Sequence, residues 1–442
     1  MKDLARYVAV KTLCDIEEGA FSNIKLNYYF KKYDMKPIDR AFTSEIVYGT
    51  LRNLIKIDYF INKFSNIKTS KMTKWVLNSI RIAVYQIFFM DKVPEYAAIN
   101  ESVEIVKQKE KKASGFVNGV LRSILRNKEK FNIINVKDKI KKLSIQYSHP
   151  EWMVKMFIDE FKEQFTEELL KANNTTPNLT IRVNTLKISK EDLKNILEQK
   201  GIKVYDGVVE EALILEDFSN IEKSEEFNKG FFIIQDESSM LPSRVLDVKE
   251  GMKVLDLCSA PGGKTTHIAQ LMNNKGEIIA FDIHEHKLKL INDNSRRLGI
   301  DIIDAKLKDA EILMEEYIDY ADRVLVDAPC SGLGLLRKKP EIKYNVKKED
   351  INKLTLIQKC ILNNAAKYVK KDGCIVYSTC TITSQENEGL IEEFLKENHN
   401  FVLEDINEFL PQKLKTQEKY LKIFPNVHKM DGFFIAKLKR IR

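Results

Sequence analysis

The spacing of apolar residues changes along the chain and divides it into regions of different secondary structure. From the N-terminus to about residue 130, apolar residues recur every three or four positions, as in LARYVAVKTLCDI (4–16) and SEIVYGTLRNLIKIDYFI (44–61). This spacing is typical of amphipathic helices. We therefore predict an all-α domain over residues 1–130. A helical linker should follow over residues 131–170, in which Pro150 marks a helix start.

The period changes to two near residue 175, in NLTIRVNTLK (178–187). A helical stretch, SKEDLKNILEQKG (189–201), and two more strand-like runs, VVEEALILE (208–216) and GFFIIQ (230–235), come next. The pattern predicts a small α+β subdomain, similar to an RNA recognition module (RRM-like), over residues 171–238. We expect it to face RNA, although it could equally serve only for packing.

Beyond residue 240 the strands become continuously apolar and alternate with helices, which is typical of a parallel sheet covered on both faces. We predict a Rossmann-like α/β domain over residues 239–442. Its main strands should be KVLDLC (253–258), EIIAFDI (277–283), DRVLVDAP (322–329) and CIVYST (374–379), with helices that include 309–317 and 384–397.

Composition places the protein among ordinary globular chains. Its 442 residues are 44% apolar and 31% charged. The longest apolar passage, 75–90, is interrupted by Asn78, Arg81 and Gln86, which favours a core helix over a membrane span. The N-terminus lacks the apolar core of a signal peptide. We therefore expect a cytoplasmic protein with no membrane contact.

The positive charge is concentrated at the N-terminus. Residues 1–130 hold 24 Lys and Arg against 14 Asp and Glu, whereas the other 312 residues hold 48 against 50. Lysines and arginines that displace counterions from phosphates give sequence-independent affinity for nucleic acid. We predict a polyanion-binding face on this domain; the alternative is a lysine-rich surface that serves only solubility.

The segment VLDLCSAPGGKTTH (254–267) places two glycines where the first strand of the α/β domain turns into a helix. Backbone amides at a helix N-terminus suit an anionic group. A Walker A loop would need a glycine at position 258, which is cysteine, and GxGxxG is also absent. A small cofactor with a carboxylate fits better than a nucleotide diphosphate. The loop residues predicted to bind it are Cys258, Ser259, Ala260, Pro261, Gly262, Gly263 and Lys264.

Acidic residues follow the next strands. Asp282 ends the second strand, where a carboxylate can bond both ribose hydroxyls of an adenosine, although a helix N-cap is an equally good interpretation. Asp309 could close the adenine side in the same way. Asp327, at the end of the fourth strand, completes the predicted cofactor-binding set.

Two cysteines stand at the ends of neighbouring predicted strands, Cys330 in DAPCSGLG (327–334) and Cys380 in IVYSTC (375–380). Carbon 5 of a pyrimidine is a poor nucleophile, and a thiolate that adds to carbon 6 makes it reactive. We expect both sulfurs to face one unstacked base, with a helix beginning near Ser384 and the cation of Lys264 favouring the thiolate. Asp327 could bond the polar edge of the base.

The other cysteines are interpreted as packing residues. Cys14, Cys360 and Cys374 should lie in the core, and Cys258 should be a small residue of the cofactor loop. Six cysteines without a CxxC pair or histidines at zinc-ligand spacing predict no metal site.

Three motifs together, SAPGGKT, DAPCSGLG followed by LRKKPEIK, and YSTCTITSQENE, resemble the bacterial RsmB-type 16S ribosomal RNA cytosine-5 methyltransferases of the Nop/Sun family. GFVNGVLRSILR (115–126) resembles the NusB-like N-terminal domain of that branch. The resemblance implies S-adenosyl-L-methionine as methyl donor, Cys380 as nucleophile and Cys330 as the cysteine that helps release the product. Ser259 departs from the alanine usual in the family.

The leading hypothesis is therefore a cytosine-5 methyltransferase acting as a monomer on small-subunit ribosomal RNA, with Cys380, Cys330, Asp327 and Lys264 as catalytic residues. One alternative keeps the chemistry and changes the substrate to transfer RNA. Another is a non-catalytic NusB-like RNA-binding or antitermination factor.

Overall fold

A computed structural model of the chain describes residues 3–216, 218 and 221–442. The chain forms two compact units. The first comprises Met1–Thr175 together with Leu336–Val346, and the second comprises Thr176–Leu335 together with Lys347–Arg442.

The first unit is helical, as its apolar spacing predicts. Its successive helices are α1 (Leu4–Ile16), α2 (Ser22–Lys32), α3 (Pro37–Arg52), α4 (Leu54–Phe64), α5 (Lys74–Phe89), α6 (Glu95–Glu110), α7 (Ser114–Arg126), α8 (Lys139–Tyr147), α9 (Glu151–Phe161) and α10 (Glu163–Ala172). Pro150 is the N-cap residue of α9, as expected from the sequence.

Helix α5 is the centre of the first unit and is buried over most of its length. Arg81, which interrupts its apolar sequence, is itself buried and forms an ion pair with Asp58 at 2.6 Å and another with Glu17. Buried charges are tolerated when they are paired in this way. Over the described residues, no helix combines the length and apolar character that a membrane crossing needs.

The second unit begins with a small antiparallel sheet. Its elements are β1 (Leu179–Val183), α11 (Lys190–Gln199), β2 (Lys203–Asp206), β3 (Ala212–Glu216), α12 (Glu225–Asn228) and β4 (Phe232–Ile234), and the strand order is β2-β3-β1-β4. The predicted α+β subdomain is confirmed, with a ferredoxin-like arrangement. Strand β2 was not predicted because only Val204 of its four residues is buried, so no apolar repeat marks it.

The remaining elements follow in the sequence, and all except α16 form the α/β domain. They are α13 (Glu237–Val245), β5 (Lys253–Asp256), α14 (Gly263–Leu271), β6 (Glu277–Asp282), α15 (Glu285–Leu298), β7 (Ile303–Leu307), β8 (Ala321–Asp327), α16 (Ile342–Asn345), α17 (Lys348–Tyr368), β9 (Val369–Thr379), α18 (Glu388–Glu397), β10 (Phe401–Glu404), β11 (Leu421–Ile423), α19 (Pro425–His428) and β12 (Phe433–Arg440). Of these, α16 lies within Leu336–Val346 and so packs with the first unit.

The large sheet has the order β10-β12-β9-β8-β5-β6-β7, and β11 pairs with β12. The strands from β9 to β7 are parallel, which confirms the predicted Rossmann-like core. The sheet as a whole is mixed, because β12 pairs antiparallel with β9 and with β10. β12 lies between β9 and β10, and β10 forms the edge of the sheet.

Two predicted helices differ from the structure. Residues 309–317 form a turn and a single 3₁₀ turn (Glu315–Tyr317) instead of a helix. The Asp309 carboxylate accepts a hydrogen bond from the Glu311 backbone N–H at 3.0 Å, and such local bonds compete with helix formation. The helix predicted over 384–397 begins at Glu388, after a 3₁₀ turn at Ser384–Glu386, because the backbone of Asn387 is not helical.

The segment Leu336–Val346 follows the DAPCSGLG motif directly and is built into the helical unit. The buried carboxylate of Glu341 accepts hydrogen bonds from the backbone N–H and the hydroxyl of Ser22, at 3.0 and 2.7 Å. The buried Lys343 ammonium donates to the Arg52 carbonyl at 3.1 Å and to Oδ1 of Asn174 at 3.0 Å. Sequence periodicity gave no indication of this placement.

Candidate active site

The carboxyl ends of β5, β6, β8 and β9 lie at one edge of the large sheet, because these strands are parallel neighbours. Ligands bind at this edge in open α/β sheets. The loops that follow these strands carry the residues predicted from the sequence, and all of those residues belong to the second unit.

The two cysteines meet at this edge. Cys330 follows β8 and Cys380 follows β9, and their sulfur atoms are 3.1 Å apart. A hydrogen bond with Cys380, together with burial, raises the pKa of Cys330 well above its ordinary value. Cys330 therefore keeps its proton and can donate it towards the sulfur of Cys380.

Lys264 supplies a positive charge beside the sulfur pair. Its ammonium lies 2.8 Å from Oδ2 of Asp327, whose Oδ1 accepts a hydrogen bond from the Ser378 hydroxyl at 2.8 Å. Burial alone would lower the pKa of Lys264, but the charges of Asp327 and Cys380 raise it overall. Lys264 therefore stays protonated close to Cys380.

The glycine loop is held tightly between β5 and α14. Ser259 donates both its backbone N–H and its hydroxyl to the Phe281 carbonyl, at 2.9 and 2.8 Å. Gly262 has φ +93°, a region that favours glycine, and a Cβ there would lie 3.2 Å from Cα of Ile291. Ala260, Pro261 and Gly263 complete the turn that leads into α14.

Asp256, the last residue of β5, was not singled out by its sequence context. Its Oδ2 accepts a hydrogen bond from the Thr265 hydroxyl at 2.7 Å, whereas its buried Oδ1 has no hydrogen-bond partner among the described residues. Burial, reinforced by the charge of Asp327, raises the pKa of Asp256 to about 7. A buried acceptor without a partner is costly, so this atom suits a ligand that donates a hydrogen bond.

Asp282 and Asp309 lie at the ends of the next strands. Asp282 Oδ1 accepts a hydrogen bond from the His284 backbone N–H at 2.9 Å, which supports the turn that leads into α15. Burial raises the pKa of Cys258 well above its ordinary value, and four carboxylates around it reinforce the effect: Asp256, Asp327, Asp282 and Asp309. An acidic rim of this kind suits a cofactor that carries sulfonium and ammonium charges.

Several polar groups that hold the cysteine loops were missed at the sequence level. The Ser331 and Thr381 hydroxyls, each one residue after a cysteine, are 2.8 Å apart. The Ser331 hydroxyl also donates to the buried carboxylate of Glu386 at 2.6 Å. Gly334 donates its N–H to the Cys380 carbonyl at 3.0 Å. A Cβ on Gly334 would lie 2.1 Å from the Gly432 carbonyl oxygen, so only glycine fits there. The second glycine of SGLG, Gly334, was the signal in the sequence for this close approach of two backbones.

The remaining cysteines differ in how far they are buried. Cys374 is buried and Cys14 is partly buried, in keeping with packing roles. The expectation for Cys360 was wrong, because it is exposed on α17. Among the residues that the structure describes, no group of three or more His, Cys, Asp or Glu side chains could hold a metal ion.

Three families match successive parts of the chain. The NusB family matches residues 3–126, the Methyltr_RsmF/B-like ferredoxin-like domain matches residues 149–222, and the 16S rRNA methyltransferase RsmB/F family matches residues 243–439. The chain is 39% identical to "Probable ribosomal RNA small subunit methyltransferase B" of Bacillus subtilis (strain 168), over 99% of each chain.

Solved structures agree with this relationship. The crystal structure of PH0851 has a TM-score of 0.86 at 29% identity and covers 99% of each chain. The structure of NSun6 from Pyrococcus horikoshii with SFG has a TM-score of 0.60 at 26% identity, covering 66% of this chain and 98% of that one. The cofactor is S-adenosylmethionine, whose cationic groups suit the acidic rim described above. The chain thus belongs to the 16S rRNA methyltransferase RsmB/F family and is an S-adenosylmethionine-dependent RNA methyltransferase.

Proposed function

We propose that this protein methylates carbon 5 of a cytosine in small-subunit ribosomal RNA, through a covalent bond between Cys380 and carbon 6. The observation that supports this chemistry most directly is the 3.1 Å separation of the Cys330 and Cys380 sulfurs at the ligand-binding edge of the sheet. The substrate follows from the family to which the chain belongs. That family match covers residues 243–439, including both cysteines, which argues against a non-catalytic factor.

The reaction begins when the deprotonated sulfur of Cys380 bonds to carbon 6 of an unstacked cytosine and makes carbon 5 nucleophilic. When bound, S-adenosylmethionine supplies an electrophilic methyl group on its sulfonium, and carbon 5 accepts that group. A proton then leaves carbon 5. The electrons of that C–H bond restore the double bond between carbons 5 and 6 and expel the Cys380 thiolate.

The side chains around the sulfurs suit these steps. The Lys264 ammonium stabilises negative charge on Cys380, and Asp327, oriented by Ser378 and Lys264, accepts a hydrogen bond from the polar edge of the base. Cys330 keeps its proton and donates a hydrogen bond to the departing Cys380 sulfur. The family resemblance implies nucleophilic attack by Cys380 and assistance in product release by Cys330, and the raised pKa of Cys330 supports its part in this division.

We further propose that the first unit contributes RNA affinity through contacts with phosphates. Its excess of Lys and Arg over residues 1–130 is the supporting observation. Such contacts read backbone and shape more than sequence.

A covalent trap tests the chemistry. RNA containing 5-fluorocytosine cannot lose a proton from carbon 5, so the adduct should persist and migrate as a heat-stable protein–RNA species when S-adenosylmethionine is present. Cys380→Ala should abolish this species. Cys360→Ala, which removes an exposed thiol of α17, is the matched control and should form it normally. Absence of the species with the unaltered chain, or its survival in Cys380→Ala, would overturn the proposed chemistry.

The same trap distinguishes the substrates. We expect adducts and methyl transfer with small-subunit ribosomal RNA and little with transfer RNA. Bisulfite mapping of both RNAs from cells lacking this protein should show one cytosine that has lost its methyl group, in ribosomal RNA. If a methyl group were lost only from transfer RNA, the proposed ribosomal RNA substrate would be wrong and transfer RNA would be the substrate.

A further inference from the structure

Glu386 is a fully buried carboxylate in the 3₁₀ turn between β9 and α18. Its Oε1 accepts hydrogen bonds from the Ser331 backbone N–H at 2.8 Å and from Nε2 of Gln358 at 3.1 Å. Its Oε2 accepts from the Ser331 hydroxyl at 2.6 Å and from the Thr383 hydroxyl at 2.8 Å. The donors come from the loop after β8, from α17 and from the turn of Glu386 itself, so one carboxylate joins three parts of the second unit.

These bonds surround Cys330. Ser331 follows Cys330 directly, and Gln358 also donates to the carbonyl of Pro329, the residue before Cys330, at 2.9 Å. The backbone on both sides of this cysteine is therefore attached, directly or through Gln358, to Glu386.

The same network reaches Cys380. A carboxylate only accepts hydrogen bonds, so the Ser331 hydroxyl gives its proton to Glu386, and the Thr381 hydroxyl donates to Ser331 at 2.8 Å. Thr381 follows Cys380 directly. The position of each sulfur is thus linked to one buried group that lies outside the sulfur pair.

We propose that Glu386 is the positioning residue that holds the Cys330 and Cys380 loops in the geometry at which their sulfurs face each other. Its significance for catalysis rests on the proposed function. Hydrogen bonds to an ionised acceptor are stronger than those between neutral groups, and loss of this acceptor leaves buried donors without partners. Glu386 touches neither base nor cofactor in this role and acts through Ser331 and Thr381.

The proximity of the two sulfurs can be measured without RNA. Phenylarsine oxide condenses with two thiols held close together, forming two As–S bonds and releasing one water. The full chain should bind it tightly through Cys330 and Cys380, and Cys330→Ala should remove this tight binding. Glu386→Gln keeps the shape but replaces one acceptor oxygen with an amide group that cannot accept. We expect its affinity for the arsenical to fall about tenfold.

The effect of Glu386→Gln on catalysis can be measured as well. In Glu386→Gln, methyl transfer and trapping of 5-fluorocytosine RNA should slow about tenfold, while KM for S-adenosylmethionine stays near its original value. Glu388→Gln is the matched control, because Glu388 lies two residues away and pairs with Lys422. It should leave all three measurements unchanged.

Ser331→Ala is the second variant. It removes the hydroxyl that links Glu386 to Thr381 and keeps the Ser331 N–H, so a smaller loss in the same direction is expected. If Glu386→Gln fails to fold, as judged by circular dichroism, Ser331→Ala decides the question. Arsenical binding and adduct rates unchanged in a folded Glu386→Gln, or unchanged in Ser331→Ala when it has to decide, would overturn the positioning role. If the unaltered chain binds the arsenical but forms no RNA adduct, the proposed function fails while the positioning role stands.

Discussion

At the residue scale, the two thiols are chemically different although they are in contact. Cys330 has a raised pKa and keeps its proton, whereas the charge of Cys380 is one of those that raise the pKa of Lys264. Two like groups at short distance do not ionise together, because the second charge would be opposed by the first. In the proposed reaction the pair therefore supplies one nucleophile and one hydrogen-bond donor to the same base.

This difference leads to a prediction for Cys330→Ala. Attack by Cys380 and methyl transfer should proceed, but the leaving sulfur loses its donor, so elimination should slow. Unmodified RNA that carries the target cytosine should then accumulate as a covalent complex, visible as a shifted band on a denaturing gel. Free turnover in Cys330→Ala, at the rate of a Cys360→Ala control, would contradict a role in release.

The sequence located the cysteines but not the groups that hold them. Cys330 and Cys380 stand at strand ends, and a thiol at such a position has a recognisable chemistry. Glu386 lies in a run of polar residues, SQENE, that reads like the first turn of an ordinary helix. Its importance depends on contacts with Ser331 and Gln358, which lie 55 and 28 residues away. Periodicity carries no information about such contacts.

At the scale of elements, apolar patterns identified the strands better than the short helices. The parallel pair β8 and β9 follows from two continuous apolar runs, and the structure pairs Asp327 with Ser378 directly. Patterns failed where local hydrogen bonds decide the backbone, as at Asp309. They failed again at Asn387, whose buried side chain forms hydrogen bonds with Thr379 and Thr381 at 2.6 and 3.1 Å. The backbone of Asn387 is not helical, so α18 begins only at the next residue.

Helix α2 has a surface with features suited to RNA contact. Its exposed side carries Phe21, Ile24 and Tyr28, which are 49%, 59% and 51% exposed. The helix contains three lysines and no acidic residue. The Lys32 ammonium lies 5.6 Å from the centre of the Tyr28 ring. Aromatic faces beside free cations are typical of surfaces that bind single-stranded nucleic acid.

We therefore predict that replacing Lys31 and Lys32 together by Gln weakens RNA binding and reduces its salt dependence. Each lost phosphate contact should lower the slope of log K against log salt by about 0.7. Lys155→Gln in the same unit is the control, because Lys155 is exposed on α9 and paired with Asp159 at 3.0 Å. Titrations at several salt concentrations, followed by fluorescence anisotropy, measure both quantities. An unchanged slope in the double variant would leave the charge of α2 as a solubility feature.

At the scale of the whole molecule, two separate segments of the chain form the helical unit. Residues 1–175 form most of that unit, and 336–346 return to it from the middle of the α/β sequence. The returning segment brings buried polar groups whose partners lie early in the chain, among them the Tyr344 hydroxyl, which donates to the Leu51 carbonyl at 2.7 Å.

Deletion of residues 1–130 should therefore do more than weaken RNA binding. Glu341, Lys343 and Tyr344 would lose partners on Ser22, Arg52 and Leu51, at about 1–3 kcal/mol for each buried group left without a partner. We expect the truncated chain to unfold at a lower temperature and to aggregate. Replacing 336–346 by a short Gly-Ser linker in the truncated chain should restore solubility. Equal unfolding temperatures with and without that replacement would contradict this explanation, and differential scanning calorimetry measures them.

Because two segments form the helical unit, that unit cannot be exchanged between related proteins as one continuous piece of sequence. A chimera that takes its helical unit from a relative would need three crossovers, one near residue 175 and one at each end of 336–346, because the relative's helices are matched to their own copy of that segment. A single crossover near residue 175 would join mismatched surfaces inside the helical unit. Substitutions in 336–346 should therefore be accompanied by substitutions at their partners in residues 1–175.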